Sequence, residues 1–418
     1  MAASQPEPLV LRAPRLLDGS GGEPLPDAAL WLEGGRIVWV GPSAALPAGA
    51  AGARTIELPG CTLLPGLVDA HVHLTASGGP DLAADLPRTE AERTLAAIAN
   101  CRRQLDGGTT LVRDLGAPGG EVAALAKAIE AGTVEGPTVI AAGPAVTMTG
   151  GHITFMGRVA DGPEQIRAAV RANLALGARC IKVVATGGVL TRGLDPRVAA
   201  YSQAELDALV DEAHRLGLRV AAHAIGEGGV AAALRAGVDS VEHGMFLDQT
   251  CVDLFLRTGA RLSATFSAPG CIVHGRTVPD WIKERARPAA EAQAASFQAA
   301  VKAGVRVVAG TDAGTPENYH GRAAHEVVAM VEAGLDVLAG VRAATSEGAD
   351  LLGDPDRGAL RPGAIADVLA VHGDVVLDVT ALTRPAAVFK SGRKFRGGSR
   401  RFRLRGGSCA PPSRLPPP

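Results

Sequence analysis

The stretch GLVDAHVHL, residues 66–74, marks the point where the sequence changes character. It is a short apolar run that follows a turn-forming Pro-Gly pair, and this pattern predicts a buried strand. From about residue 65 onward, β-branched runs of this kind alternate with helical stretches. Because parallel strands need long crossover connections, the alternation predicts βα units around a parallel sheet.

Eight runs fit this description, with helical segments such as EVAALAKAIEAG (121–132) and SQAELDALVDEAHRLG (202–217) between them. They are GLVDAHVHL (66–74), TTLVRDLG (109–116), PTVIAAGPAV (137–146), RCIKVVATGG (179–188), LRVAAHAIG (218–226), DSVEHG (239–244), RLSATFS (261–267) and VRVVAGTDAG (305–314). Eight strands with intervening helices predict an α/β fold of the (β/α)8 type, a TIM barrel.

The two ends of the chain carry short strands of another kind, broken by Gly and Pro. We predict that residues 1–64 and 357–396 form one small β-sandwich domain beside a barrel of residues 65–356. The strands predicted after the barrel are ADVLAVHG (366–373), VVLDV (375–379) and AAVFKSGRKF (386–395). Residues 397–418 are rich in Gly, Pro, Ser and Arg, which predicts a disordered tail.

Composition excludes several classes of protein. The formal net charge of −1 lacks the basic surplus that nucleic-acid binding requires, and no apolar run is long enough for a membrane span. The six cysteines form no C-x-x-C pair, so buried free thiols in a reducing compartment are favoured. The first residues show no signal-peptide pattern. We expect a cytoplasmic protein, and a homo-oligomer, that acts on a small molecule.

Candidate metal ligands stand at the ends of the predicted strands. His71 and His73 are two residues apart on the first strand, so both point to the same side. Imidazole is a common zinc ligand, although a lone H-x-H pair also occurs where histidines merely pack. Lys182 lies inside the apolar fourth strand, where a lysine is costly to bury without a partner or a modification.

Three further candidates repeat the pattern on other strands: His223 ends the fifth, His243 the sixth and Asp312 the eighth. Active sites of TIM barrels are built at the carboxyl ends of the strands. The recurrence of such residues at matching strand ends therefore favours a metal site over chance.

The order of these residues resembles the amidohydrolase superfamily in its two-metal form with a carboxylated lysine. Within it, the chain is most similar to the imidazolonepropionase-like proteins, which include metal-dependent dipeptidases and carboxypeptidases. The motifs that carry the resemblance are LPGLVDAHVHL, GGTTLVRDLG, IKVVATGG, AGVDSVEHG, GTDAG, AATSEGADLLG and GALRPGAIADVLAV.

The resemblance implies two divalent metal ions, with zinc the default for these ligand types. The implied ligands of the first ion are His71, His73, Lys182 and Asp312, and those of the second are Lys182, His223 and His243. Lys182 is then a carbamate, formed with CO2, that bridges both ions. The alternative from the residues alone is an unmodified buried lysine paired with Asp312.

The expected reaction is hydrolysis of a C–N amide bond by a metal-activated hydroxide. Asp312 is the predicted catalytic residue, which takes a proton from the attacking water and passes it to the leaving nitrogen. Candidate substrate contacts are His152, Arg192, Tyr201 and His320, each of which also fits an ordinary loop position.

One departure from the family pattern concerns the substrate. Dipeptidase-like relatives often carry a Tyr two positions after the histidine of the fifth strand, where it holds the substrate carboxylate. This sequence has Ile225 there, which makes a larger N-acyl amino acid or a cyclic amide more plausible than a free dipeptide.

Three hypotheses follow. The first is a two-metal hydrolase of a dipeptide or N-acyl amino acid. The second is a one-metal, cyclic-amide hydrolase of the imidazolonepropionase kind, in which a bridging Lys182 has little purpose. The third, disfavoured because the ligand set is complete, is an inactive barrel that serves as a scaffold.

Overall fold

The computed structural model describes residues 6–86 and 89–395. The chain begins with five strands that belong to a small sheet. They are β1 (Leu9–Leu16), β2 (Leu25–Glu33), β3 (Arg36–Pro42), β4 (Arg54–Glu57) and β5 (Cys61–Pro65). The Gly34-Gly35 pair between β2 and β3 has positive φ at both residues, as a tight hairpin turn between antiparallel strands requires.

The middle of the chain supplies ten strands, and all of their pairings are parallel. They are β6 (Leu67–Val72), β7 (Thr109–Asp114), β8 (Thr138–Ala141), β9 (Ala145–Thr147), β10 (Gly157–Val159), β11 (Cys180–Val184), β12 (Arg219–Ala224), β13 (Ser240–His243), β14 (Arg261–Ser263) and β15 (Val307–Val308). One sheet has the order β6-β7-β8 and the other the order β10-β9-β11-β12-β13-β14-β15.

Backbone hydrogen bonds join these two sheets at both seams. Arg179 donates to the carbonyl of Ala141 at 2.8 Å, which links the start of β11 to β8. At the other seam, Ala70 donates to the carbonyl of Ala309 at 2.8 Å, and Asp312 donates to that of His71 at 2.7 Å. A ring of strand–helix units requires these connections, and the predicted α/β fold of parallel βα units is confirmed.

Helices connect the parallel strands and pack outside them. They are α1 (Leu82–Asp85), α2 (Glu90–Asp106), α3 (Glu121–Glu130), α4 (Gly162–Ala175), α5 (Gln203–Arg215), α6 (Glu227–Ala236), α7 (Gln249–Thr258), α8 (Ser267–His274), α9 (Asp280–Ala303), α10 (Ala323–Glu332), α11 (Val337–Ala343) and α12 (Ser346–Leu351). Local sequence explains their limits: α5 begins at a capping box of Ser202 and Glu205, and α6 ends at Gly237, whose φ is 92°.

The last three strands return to the small sheet. They are β16 (Val368–His372), β17 (Pro385–Lys390) and β18 (Arg393–Lys394). The sheet has the order β18-β17-β16-β5-β1-β2-β3, with β4 beside β1, so strands from both ends of the chain lie in one eight-stranded sheet. Leu11, Leu63 and Phe389 share its core. The predicted tail, residues 397–418, lies outside the described residues.

One predicted strand is wrong. Residues 375–377 of VVLDV form a turn, and Val379–Thr383 is a short 3-10 helix. The cause is local, because the Asp374 carboxylate accepts hydrogen bonds from the backbone N–H groups of Val376 and Leu377 at 3.0 and 3.4 Å. Such side-chain bonds compete with strand pairing.

Two further expectations concern the whole chain. Within residues 6–86 and 89–395, no helix has the length and apolar character to cross a membrane. Cys61, Cys101, Cys180 and Cys251 are free and buried, and Cys271 is buried as well.

Candidate active site

A pocket opens at the carboxyl ends of the parallel strands. Its lining includes every residue for which the sequence predicts metal binding, and we call this set the ligand cluster. Its members are His71, His73, Lys182, His223, His243 and Asp312. All six side chains are buried, although they come from β6 and the residue after it, from β11, β12 and β13, and from the segment after β15. The fold of parallel βα units therefore brings the predicted ligands together.

The first two histidines have defined tautomers. Nδ1 of His71 lies 3.0 Å from Oε2 of Glu242, and Nδ1 of His73 lies 3.2 Å from the carbonyl oxygen of Gly116. A carboxylate and a carbonyl can only accept, so each neutral ring carries its hydrogen on Nδ1 and leaves a lone pair on Nε2. These two Nε2 atoms lie 3.3 and 3.1 Å from the same atom, Oδ1 of Asp312.

Three lone-pair atoms thus face one another across a short gap, an arrangement that needs a positive charge between them. Burial and the nearby Lys182 hold the pKa of His71 well below its usual range, so this ring is neutral. For His73, burial lowers the pKa but the Asp312 carboxylate outweighs it and raises the pKa overall. The Asp312 carboxylate therefore attracts positive charge to this point of the pocket.

The other two histidines also have assigned lone pairs, although on different nitrogens. The Thr265 hydroxyl donates to the carbonyl of Ala264 at 2.7 Å, so it accepts from Nδ1 of His243 at 2.7 Å and leaves Nε2 free. His223 uses Nε2 to donate to the carbonyl of Gly187 at 2.9 Å, which leaves Nδ1 free. Burial lowers the pKa of His223 to about 3 and that of His243 well below its usual range. Both rings are neutral, with centroids 4.6 Å apart.

Lys182 lies among these rings without a hydrogen-bond partner for Nζ among the described residues. Oδ1 of Asp312 is also buried, and its neighbours are Nε2 of His71 and of His73. The pairing of an unmodified Lys182 with Asp312, the alternative left by the sequence, is not among the ion pairs of the described residues. Burial lowers the pKa of Lys182 to about 8. An unpartnered buried Nζ beside a buried carboxylate and four imidazoles fits a site for divalent metal ions.

Backbone strain coincides with the ligand cluster. Asp312 has a φ of 56° and His243 a φ of 78°, both in the left-handed region that residues other than glycine rarely adopt. Thr265, the partner of His243, has a φ of 56°. Strain of this kind collects at functional sites, where surrounding contacts hold it in place.

Asp69 is a second buried carboxylate that supports the cluster, and it has no role in the sequence-based prediction. Its two oxygens accept from the backbone N–H and the hydroxyl of Thr311 at 2.9 and 2.7 Å. Because Thr311 precedes Asp312, these bonds fix the segment that carries Asp312. Burial raises the pKa of Asp69 to about 7. The signal was present in the sequence as an acidic residue inside an apolar strand.

Of the four predicted substrate contacts, His152 lines the pocket. Its ring centroid is 4.9 Å from that of His223, and its Nδ1 lies 2.9 Å from the hydroxyl oxygen of Thr191. The imidazole therefore stands beside the ligand cluster without being one of its members.

The structure does not bring Tyr201 and His320 to the pocket lining. Tyr201 is buried in the core, and its hydroxyl donates to the carbonyl of Ala160 at 2.9 Å. His320 donates from Nε2 to the carbonyl of Ala76 at 3.1 Å. The Tyr201 hydroxyl and the His320 Nε2 are therefore bonded to backbone, and Nδ1 of His320 lies 3.3 Å from the Gln104 side-chain nitrogen.

A group of apolar residues also lines the pocket and has no counterpart in the sequence-based prediction, and we call it the apolar wall. It consists of Val189, Leu190, Ala268, Pro269, Ile272, Ala286 and Ala289, which come from the segment after β11 and from α8 and α9. Arg285 of α9 ties these parts together by donating to the carbonyls of Gly188 and Leu194 at 3.1 and 2.8 Å. Arg192, the fourth predicted substrate contact, is exposed and lies 4.3 Å from the ring centroid of Trp281 on α9.

Comparison with known proteins places these features in a family. Residues 62–395 match the Amidohydrolase family. An ochratoxinase of Aspergillus niger is 33% identical over 424 residues, which covers 91% of this chain and 85% of the relative. An imidazolonepropionase of Saccharopolyspora erythraea is 30% identical over 373 residues, covering 82% of this chain and 86% of the relative.

Solved structures agree with this match. A Xaa-Pro dipeptidase with methionine bound in its active site superposes with a TM-score of 0.85 at 30% identity, over 93% of this chain and 99% of that one. The A. niger ochratoxinase superposes with a TM-score of 0.84 at 31% identity, over 95% and 97% of the two chains.

Proposed function

This chain belongs to the amidohydrolase family and is a hydrolase of C–N amide bonds, and on that premise we propose that its substrate is an N-acyl amino acid or a dipeptide. The proposed cofactors are two divalent metal ions, with zinc the default, held by the ligand cluster. The observation that carries this proposal is that four buried imidazoles, the Asp312 carboxylate and a lysine Nζ without a described hydrogen bond line one pocket.

The histidine tautomers suggest which atoms bind the metals. His71 and His73 offer Nε2 beside Asp312, as the first set of ligands requires. His243 offers Nε2 and His223 offers Nδ1 for the second set. When bound, divalent ions supply Lewis acidity and lower the pKa of water.

Lys182 completes both sets if it is carboxylated. Its neutral amine attacks the carbon of CO2 and releases one proton to solvent, which gives a carbamate whose single negative charge is shared by two oxygens. Burial favours this step because it lowers the pKa of Lys182 to about 8, so that more of the amine is unprotonated at neutral pH. The unpartnered Nζ has no described hydrogen bond to break first.

Asp312 and His152 have separate proposed roles in the reaction. A carboxylate oxygen of Asp312 accepts the proton of the attacking water and passes it to the leaving nitrogen, so the amine departs neutral. His152 lines the pocket beside His223 and orients the substrate carbonyl. Its contact with Thr191 holds the imidazole in place for this purpose.

The lining of the pocket supports an apolar group in the substrate. Ile225 lies where dipeptidase-like relatives carry a tyrosine for the substrate carboxylate, and it lines the pocket. Among the described lining residues, Lys182 is the sole lysine and there is no arginine. An N-acyl amino acid with a bulky apolar group matches the apolar wall better than a small, charged dipeptide does.

Metal analysis combined with a substrate panel tests the proposal. Purified protein is expected to carry two divalent ions per chain and to hydrolyse N-acyl amino acids with apolar groups faster than free dipeptides. One ion together with lactam hydrolysis favours the cyclic-amide alternative, for which His71, His243 and Asp312 alone place three ligand atoms within 4.8 Å of one another. Full activity in rigorously metal-free protein contradicts the mechanism.

A further inference from the structure

Glu242 lies next to His243 in sequence, yet both side chains face the interior of the parallel strands. Neighbouring residues of a regular strand point to opposite sides. The left-handed φ of 78° at His243 breaks this alternation at the end of β13. This change in backbone direction allows His243 to line the pocket, while the Glu242 carboxylate contacts Nδ1 of His71.

The Glu242 carboxylate is fully engaged and fully buried. Oε2 accepts from Nδ1 of His71 at 3.0 Å, and Oε1 accepts from the Arg113 guanidinium at 2.9 Å and from the Ser240 hydroxyl at 2.6 Å. Arg113 is anchored in turn by donating from Nε to the carbonyl of Ala70 at 2.7 Å. Glu242 is 0% exposed and Arg113 is 1% exposed.

On these contacts we propose that Glu242 is a positioning residue that sets the metal affinity of the ligand cluster by fixing the tautomer and orientation of His71. The inference rests on the proposed function, because it assumes that His71 binds a metal through Nε2. A carboxylate has no hydrogen to give to Nδ1, so contact with Glu242 keeps the His71 hydrogen on Nδ1 and the lone pair on Nε2.

Arg113 and Ser240 determine which oxygen of Glu242 is available to His71. Their donors occupy Oε1, which leaves Oε2 for His71. The guanidinium also compensates the charge of a carboxylate that is removed from water, so the pair persists in the buried interior. The orientation of His71 is therefore held by a chain of contacts from β7 through β13.

The variant Glu242→Gln separates positioning from simple packing, because glutamine keeps the shape but can donate to Nδ1. Zinc affinity of the metal-depleted full-length protein is measured by competition with a chromophoric chelator. We expect affinity about 10- to 100-fold weaker than in the unmodified protein, the usual effect of losing such a support. Melting curves of the same samples check that the variant is folded.

Glu326→Gln is the matched control. Glu326 is also a fully buried carboxylate, but it accepts from the backbone N–H groups of Phe266 and Ser267 at 2.7 and 2.8 Å and from the Ser267 hydroxyl. It contacts no member of the ligand cluster, so zinc affinity is expected to stay within about twofold of the unmodified protein, well short of the loss at a direct support.

Each outcome decides the inference. Unchanged affinity in Glu242→Gln overturns it, and so does an equal loss in Glu242→Gln and Glu326→Gln. If Glu242→Gln does not fold, Ser240→Ala removes one donor to Oε1 and leaves the ion pair, and unchanged affinity there overturns the inference. If the protein without substitutions binds no zinc or other divalent ion, the proposed function and this role are both overturned. If that protein binds zinc and the Glu242→Gln variant has the same zinc affinity, this role alone is overturned.

Discussion

The ligand cluster and the apolar wall are two sides of one pocket with opposite physical character. The ligand cluster is polar, strained and incompletely hydrogen-bonded, and it lies at the ends of strands that backbone hydrogen bonds hold in register. The apolar wall consists of ordinary side chains from α8, α9 and the segment after β11. On the proposed function the ligand cluster carries the chemistry, which needs rigid placement, and the apolar wall gives selectivity, which needs a surface of suitable shape.

Because of this difference, we expect a substitution in the ligand cluster and a substitution in the apolar wall to change different measurable properties. On the proposed function several members of the cluster bind the same ions, so we expect the removal of one of them to change metal content and turnover together. A side chain shortened in the wall changes how well an apolar group is held and leaves the metals in place. Four predictions test this separation, beginning with the largest effect.

Lys182→Ala is expected to lose most of the bound metal and to reduce kcat by at least about 10³-fold. The reason is that the variant lacks the proposed bridge between the two sets of ligands. Metal content by mass spectrometry and steady-state kinetics are measured on the same preparation. Short carboxylic acids are expected to restore part of the activity by taking the place of the carbamate.

Lys390→Ala is the control for burial of a lysine. Nζ of Lys390 donates to Asp367 at 2.7 Å and to Thr138 at 2.9 Å, remote from the pocket lining. Its removal is expected to lower the melting temperature and to leave the metals bound. A Lys182→Ala protein with two metals and near-normal turnover contradicts the carbamate bridge and returns the one-metal reading to first place.

His152→Ala is expected to keep both metals and to lower kcat about 10²-fold, the usual size of the loss when one group that stabilises the substrate oxygen is removed. His320→Ala is the matched control, since it removes another buried imidazole that hydrogen-bonds to backbone outside the lining. We expect its kinetic constants to stay near normal. Equal losses in the two variants contradict the proposed role of His152.

The ligand cluster was predictable because strand ends give direction as well as position. His71 and His73 are two residues apart and therefore point to the same side, and in a fold of parallel βα units the carboxyl ends of the strands lie at one face. Tyr201 and His320 were candidates for the mouth of the pocket because they are polar residues in loops. Loop sequences do not tell which way a side chain points, and both side chains turn into the protein to bond with backbone carbonyls.

Glu242 and the apolar wall were beyond sequence reasoning for a different reason. Strand alternation predicts that Glu242 and His243 point to opposite sides, and the left-handed φ of His243 that overrides it is not visible in the residue type. The apolar positions of α8 and α9 look like the inner face of any crossover helix. Their contact with the pocket depends on where α8 and α9 pack, which is a property of the tertiary fold.

The pH dependence of metal reconstitution tests the chemistry of the cluster without a substitution. Burial lowers the pKa of Lys182 to about 8 in the metal-free protein, so the neutral amine that reacts with CO2 becomes more populated as pH rises through that value. At fixed dissolved CO2, we expect recovery of activity with added metal to be about tenfold faster at pH 9 than at pH 7. A rate that is flat or falls between these values contradicts carbamate formation at Lys182.

The smallest effect is expected in the apolar wall, from Ile272→Ala. Ile272 is 3% exposed and lines the pocket on α8, so a shorter side chain leaves part of the apolar group of a substrate without contact. A buried methylene contributes ~0.8 kcal/mol, and the contact here is partial. We therefore expect kcat/KM for apolar N-acyl amino acids to fall about fivefold, mainly through KM, with metal content unchanged.

Ile166→Ala is the control, because Ile166 is equally buried but lies in the core on α4. If Ile272→Ala loses metal or if both variants change KM alike, the wall and the ligand cluster are not separable, and the division of the pocket into chemistry and selectivity fails.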